Sequence, residues 1–169
     1  MSCLSWNCRG LRNPQTEDEV VALVTTKDPN LVFLMETKAD KPTLERVGRR
    51  IHFANLFFVP RVNTGGGLAL YRKSDFDVDV QSFSNRHIDA FINQGVDDAW
   101  RFTGFYGDPD TASREHSWSL LRDLSQRSTL PWICMGDFNE ILFAEEKLGW
   151  LIDQSDKCRV SGMLWIFVD

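Results

Sequence analysis

The chain has 169 residues, 43% of them hydrophobic, with six Trp and twelve Phe, which excludes a disordered segment and supplies a core for one globular domain. A formal charge of −5 excludes a surface that coats itself with nucleic acid non-specifically, because phosphate binding needs an excess of Lys and Arg. It leaves room for a nuclease, whose acidic residues hold a cation and whose basic groups need only be local.

Cys3, Cys8, Cys134 and Cys158 form no C-x-x-C pair, so reduced, buried thiols are expected. The opening Met1 to Arg12 lacks the basic and apolar pattern of a secretory leader, and no run approaches membrane-spanning length. A soluble, intracellular protein without membrane contact is the expectation.

Taken in order, Ser2 to Asn7 reads as a strand closed by the turn Cys8-Arg9-Gly10. Asn13-Pro14 then supplies a cap and a first-turn proline for a helix carrying Val20, Leu23, Val24 and Lys27 at helical spacing, ended by Asp28-Pro29. Leu31 to Met35 is a continuous apolar run suited to a strand buried on both faces, and it delivers Glu36 to the strand's end. Pro42 to Ile51 repeats Leu44, Val47 and Ile51 at helical spacing, with Glu45, Arg46, Arg49 and Arg50 toward solvent.

Leu56–Val59, Leu68–Arg72, Phe76–Val80, His87–Ile92 and Trp100–Tyr106 are strand-like, separated by Gly, Asn, Asp and Ser, and predict an antiparallel meander. Ser113 to Gln126 predicts a helix with Trp118, Leu121 and Leu124 as its buried stripe. Pro131 to Met135 is a further strand leading into Gly136-Asp137-Phe138-Asn139-Glu140. The order of elements indicates a layered α/β (α+β) domain over residues 1–149, followed by a divergent tail, 150–169, that ends on the apolar run Leu164 to Val168.

Three polar signals share one placement, directly after an apolar strand: Asn7, Glu36, and Asp137 with Asn139. Strand ends are where layered α/β folds collect ligands. Each residue alone is a common turn former or cap, so the argument rests on their convergence. Carboxylate and amide oxygens suit a hard cation such as Mg²⁺, and phosphodiester cleavage also needs an oriented water and donors for the phosphoryl oxygens. Asp137, Asn139 and the hydroxyl of Tyr106 are the available candidates. Thr64-Gly65-Gly66-Gly67 lacks the following Lys-Ser or Lys-Thr and the helix of a nucleotide-binding loop, so a hairpin is the better reading.

In this order Ser5-Trp6-Asn7-Cys8-Arg9-Gly10-Leu11, Leu34-Met35-Glu36-Thr37-Lys38, Gly65-Gly66-Gly67-Leu68-Ala69-Leu70, Gly104-Phe105-Tyr106-Gly107 and Gly136-Asp137-Phe138-Asn139-Glu140-Ile141-Leu142 resemble the endonuclease domain encoded by plant LINE-type non-LTR retrotransposons. That domain belongs to the endonuclease/exonuclease/phosphatase superfamily. The resemblance covers about residues 2–149. It implies a partial sandwich of two sheets flanked by helices, Mg²⁺ or Mn²⁺ as cofactor, DNA as substrate and the nucleus as the place of action. It further implies that Asn7 and Glu36 belong to the metal and phosphate site, that Tyr106 contacts phosphate, and that Asp137 and Asn139 handle the attacking water. Phosphoinositide phosphatases and sphingomyelinases use related sites and form the alternative substrate class, and a non-catalytic remnant that binds cation or nucleic acid weakly is the other alternative.

Family members also carry a Ser-Asp-His motif whose His and Asp complete hydrolysis, and it has no counterpart here: Gln154-Ser155-Asp156-Lys157 has Lys in place of His and follows Asp137 too soon. His52, His87 and His116 stand in packing or surface contexts. Loss of general acid–base chemistry alone costs about 10²–10⁴-fold, so a truncated, weak or inactive nuclease is expected. A missing half of the sandwich would also leave the inner face of the remaining sheet bare and prone to association. Arg9, Arg12, Arg61, Arg72, Lys73 and Arg86 flank the motifs and are candidates for DNA backbone contacts.

Overall fold

A computed structural model describes residues 2–62, 65–139 and 166–168. Strand β1 (Cys3–Asn7) leads to helix α1 (Pro14–Lys27), where the Asn13 side chain accepts from the Gln15 N–H and Pro14 fills the first turn. Asp28 in the left-handed conformation (φ 43°) ends the helix, its N–H donating to the Val24 carbonyl. All five residues of β2 (Leu31–Met35) are buried. Helix α2 (Lys41–Arg50) begins one residue before the expected Pro42, because the Asp40 side chain caps the Thr43 N–H.

The chain continues through β3 (Asn55–Val59), β4 (Leu68–Arg72), β5 (Val78–Ser84), β6 (His87–Ile92), β7 (Trp100–Tyr106), α3 (Arg114–Ser125), β8 (Trp132–Asp137) and β9 (Ile166–Val168). Two sheets result, in the orders β1-β2-β4-β3 and β5-β6-β7-β8-β9. β1 runs parallel to β2 and β7 parallel to β8, while the other neighbours are antiparallel.

The expected single meander is therefore split. β4 pairs with both β2 and β3, and only β5, β6 and β7 form a meander. Burial fits the split: Leu68 and Leu70 pack on the second sheet and Ala69 and Tyr71 under the helices, so β4 is covered on both faces as a central strand is, whereas β5 alternates like an edge. β5 also starts later than expected, because Phe76 lies in a turn where its N–H donates to the Lys73 carbonyl and its carbonyl accepts from Arg72. Of the stretch read as a divergent tail, Ile166–Val168 pairs with β8; Gln154 to Lys157 and Cys158 lie outside the described residues.

The inner face of the first sheet is not bare. Leu31, Phe33, Met35, Leu68 and Leu70 pack against Ile88, Ala90, Ile92, Phe102 and Met135 of the second sheet in one cluster, with Phe33 edge-on to Phe102 at 6.2 Å. Truncating Phe33 to Ala would cost about 3–5 kcal/mol. On the outer side, Val20 and Val24 of α1 and Leu44 and Val47 of α2 cover Val32, Leu34, Ala69 and Tyr71. Buried Glu17 of α1 joins α2 through Arg46 and Arg50.

Helix α3 covers the outer face of the second sheet. Leu120 and Leu121 pack on Phe105, Cys134 and Phe138, and Leu124 is fully buried; Trp118, expected in this stripe, is only partly buried. Beneath the helix Arg101 donates to Asp89 (2.8 and 3.2 Å) and to the Leu124 carbonyl (2.6 Å), and Thr103 donates to Asp89 (2.6 Å). Among the described residues Cys3, Cys8 and Cys134 are free thiols, and burial pushes Cys3 up to about 11 and Cys8 up to about 12. Among the described residues no helix is long and apolar enough to cross a membrane.

Candidate functional site

Parallel pairing brings strand ends together in twos. β1 and β2 run side by side with Asn7 opposite Met35, so Asn7 and Glu36 leave the first sheet at the same end. β7 and β8 do the same in the second sheet, with Tyr106 opposite Asp137. The sheets meet at this end, where the Asp137 N–H donates to Met35 Sδ at 3.2 Å.

The four side chains touch. Asn7 Nδ2 donates to Glu36 Oε1 (3.0 Å) and to Asp137 Oδ2 (2.9 Å), and the Tyr106 hydroxyl donates to Glu36 Oε1 (2.7 Å). Asn7 thus bridges one carboxylate from each sheet. Its own Oδ1 accepts from the Arg9 N–H at 3.2 Å, which fixes the amide's orientation. Asn139 joins through its backbone N–H, which donates to Asp137 Oδ1 (3.0 Å), while its side-chain amide donates to the Gly107 carbonyl (2.7 Å). Gly136 is required just before Asp137: at φ +154° a Cβ there would lie 1.7 Å from the Phe105 carbonyl oxygen.

Electrostatics hold the groups in definite states. Burial raises the pKa of Glu36, but hydrogen bonds from Asn7, Tyr106 and Lys38 outweigh it and leave the carboxyl below its usual range, so it is ionised at neutral pH. Burial, followed by the hydrogen bond to Glu36, pushes the Tyr106 phenol up, so it remains a proton-bearing donor.

Lys38 was not singled out by the sequence, although it lies within a quoted motif. Its Nζ pairs with Glu36 Oε2 at 3.0 Å, and the side chains are 37% and 20% exposed. Arg86 lies over the Tyr106 ring at 5.4 Å and pairs with Asp108 at 2.8 Å. Arg72 and Lys73, grouped in sequence with the site's basic flank, sit at the other end of the sheet: Arg72 is opposite Leu31 and Lys73 pairs with Asp28.

The donor set suits a hard cation. The Glu36 and Asp137 carboxylates and the Tyr106 hydroxyl meet in the cluster, Asn7 faces it with Nδ2 while its Oδ1 accepts from Arg9, and a positive charge, the Lys38 ammonium, already rests against Glu36. Among the described residues no group of three or more His, Cys, Asp and Glu gathers as a closed cage. Mg²⁺ does not need one, since it keeps several waters and takes one or two carboxylates.

A layered α/β sandwich with an oxygen-rich cluster where strands of both sheets end is the class that fold and cluster define. The chain belongs to the endonuclease/exonuclease/phosphatase family, whose sequence model matches residues 4–165. Among solved structures it is similar to the catalytic domain of human Nocturnin, solved with a bound sulfate anion (14% identity, TM-score 0.63, covering 83% of this chain and 64% of that one). It is also similar to an AP endonuclease from Archaeoglobus fulgidus (17%, 0.59, 82% and 57%). A third is the 3′ phosphatase NExo from Neisseria bound to a product DNA hairpin (19%, 0.59, 82% and 58%). At these identities the likeness shows the fold, and the chain spans between about half and two thirds of the length of these structures. A comparison with curated proteins gives no match.

Proposed function

We propose that the chain is part of a divalent-cation-dependent phosphodiesterase domain that acts on DNA, of the kind encoded by LINE-type retrotransposons. The observation that carries the reading is the hydrogen-bonded meeting of Asn7, Glu36, Tyr106 and Asp137 at strand ends of both sheets. Glu36 and Asn7 would hold Mg²⁺ or Mn²⁺, which when bound supplies charge neutralisation and polarisation at a phosphoryl oxygen. Tyr106 would direct its O–H at a phosphate oxygen. Asn7 would keep the two carboxylates apart and aligned, and Asp137 would orient the attacking water and accept its proton. Asn139, held by Gly107, would fix Asp137 in that pose. DNA as substrate is supported by the motif order and by the NExo structure, which holds a DNA product.

No Ser-Asp-His stands in the sequence, so this chain by itself cuts slowly. The same observation favours a second reading, a module that binds cation and nucleic acid without cutting. A supercoiled-plasmid assay with Mg²⁺ or EDTA decides between them. Slow, Mg²⁺-dependent nicking abolished by both Glu36→Ala and Asp137→Ala is the expected result. Nicking that survives either substitution would sink the nuclease reading, and no nicking with intact Mn²⁺ binding would select the second.

A further inference from the structure

The triple glycine left without a role by the sequence lies against the segment that carries Glu36. That segment has an unusual backbone, with Glu36 at φ 51° and Lys38 at φ 49°, a left-handed region that side-chain-bearing residues rarely adopt. Two hydrogen bonds come from one side: the Thr37 N–H donates to the Gly67 carbonyl and the Lys38 N–H to the Gly66 carbonyl, each at 3.0 Å. On the other side the Thr37 carbonyl accepts from the Leu11 N–H at 2.8 Å. Thr37 is 1% exposed, and its hydroxyl has no hydrogen-bond partner among the described residues. A Cβ on Gly67, itself at φ +89°, would lie 2.5 Å from that hydroxyl oxygen.

We propose that Gly67 is a positioning residue for Glu36: its bare Cα lets Thr37 sit down on it, and this contact sets where the Glu36 carboxylate stands relative to Asn7 and Tyr106. Gly66 makes an equivalent hydrogen bond and also has a left-handed backbone (φ +72°), but a Cβ there meets nothing within 4 Å. The two glycines therefore separate backbone strain, which both positions share, from displacement of the Thr37 segment, which only Gly67 causes. The inference rests on the reading of Glu36 as a cation ligand.

The test measures Mn²⁺ binding to the full chain by electron paramagnetic resonance, with thermal unfolding of the same samples. Gly67→Ala should weaken Mn²⁺ binding by about tenfold or more, as loss of a ligand's supporting contact commonly does. Gly66→Ala should lower the unfolding midpoint while leaving affinity within about threefold, because its strain does not reach the ligand. Adding Thr37→Ala to Gly67→Ala should recover most of the affinity. Thr37→Val, which puts a methyl in place of the hydroxyl oxygen without adding a buried polar group, keeps the fold and should also weaken binding, so the inference survives as a testable statement even if Gly67→Ala does not fold. Equal affinity in the wild type and Thr37→Val, or a loss in Gly66→Ala as large as in Gly67→Ala, overturns it. Wild type and Glu36→Gln binding Mn²⁺ alike would instead overturn the cation reading, and this inference with it.

Discussion

The hydrogen bond from Tyr106 to Glu36 is predicted to hold the site together before any cation binds, and a double-mutant cycle measures it. The perturbations are Tyr106→Phe, Glu36→Ala and their combination. The bond is 2.7 Å long, its acceptor is ionised, and Tyr106 is 5% exposed. Hydrogen bonds to charged groups contribute about 1.5–3 kcal/mol. Glu36 keeps Asn7 and Lys38 as further donors and its side chain is 20% exposed, so solvent and the other partners take up part of the loss. A coupling of about 1–2 kcal/mol is therefore expected from urea unfolding of the four proteins in EDTA. Because the carboxyl lies below its usual value of 4.5, the coupling should not change between about pH 8 and pH 5. A coupling under about 0.5 kcal/mol would refute the claim that the cation-free site is pre-assembled through this bond.

Lys38 is predicted to compete with the cation for Glu36, so Lys38→Met should tighten Mn²⁺ binding by about three- to tenfold in an isothermal titration; unchanged or weaker binding speaks against competition. Asp89→Ala strands the buried Arg101 guanidinium and should cost about 3–5 kcal/mol by urea unfolding, whereas Asp89→Leu with Arg101→Met should recover much of that; a double variant as unstable as the sum of its parts would be the wrong outcome. Burial, aided by the charges of Arg101 and Arg127 and opposed by Asp89, holds His87 below its ordinary value of 6.5. The folded state then binds fewer protons than the unfolded one just below that pH, so stability is full above about 6.5 and falls as the pH drops toward the depressed folded value. His87→Gln should flatten the unfolding midpoint between about pH 6.5 and pH 5, since Glu17 and Glu36, both held below their usual range, respond only at lower pH.

How much of this could be read from the residues follows from how local each determinant is. β4, β6 and β7 fall on the expected spans because Gly, Asn, Asp and Ser turn formers bound each of them and define its limits. Which sheet each strand joins was not legible. It depends on whether both of a strand's faces find cover, and Leu68 to Tyr71 carry no local mark that β2 would lie beside them. The gathering of Asn7, Glu36, Tyr106 and Asp137 was anticipated only as convergence of strand ends, since the register that aligns them is set by the parallel pairs. Lys38, the Gly67 contact and the Arg101–Asp89 pair escaped notice because each depends on a partner in space: a side chain folded back onto Glu36, a turn separated from it by some thirty residues, and a neighbouring strand.

The two sheets also divide the chain cleanly. β1 to β4 lie between Cys3 and Arg72, and β5 to β9 between Val78 and Val168, so among the described residues one turn around Asp75 is the sole covalent bridge between the strands of the two layers. Asn7 and Glu36 travel with the first piece, Tyr106 and Asp137 with the second. Severed at that turn, the protein becomes a two-part lock: neither fragment owns a complete ligand set, and an ion captured by the mixture would report that the halves had found each other.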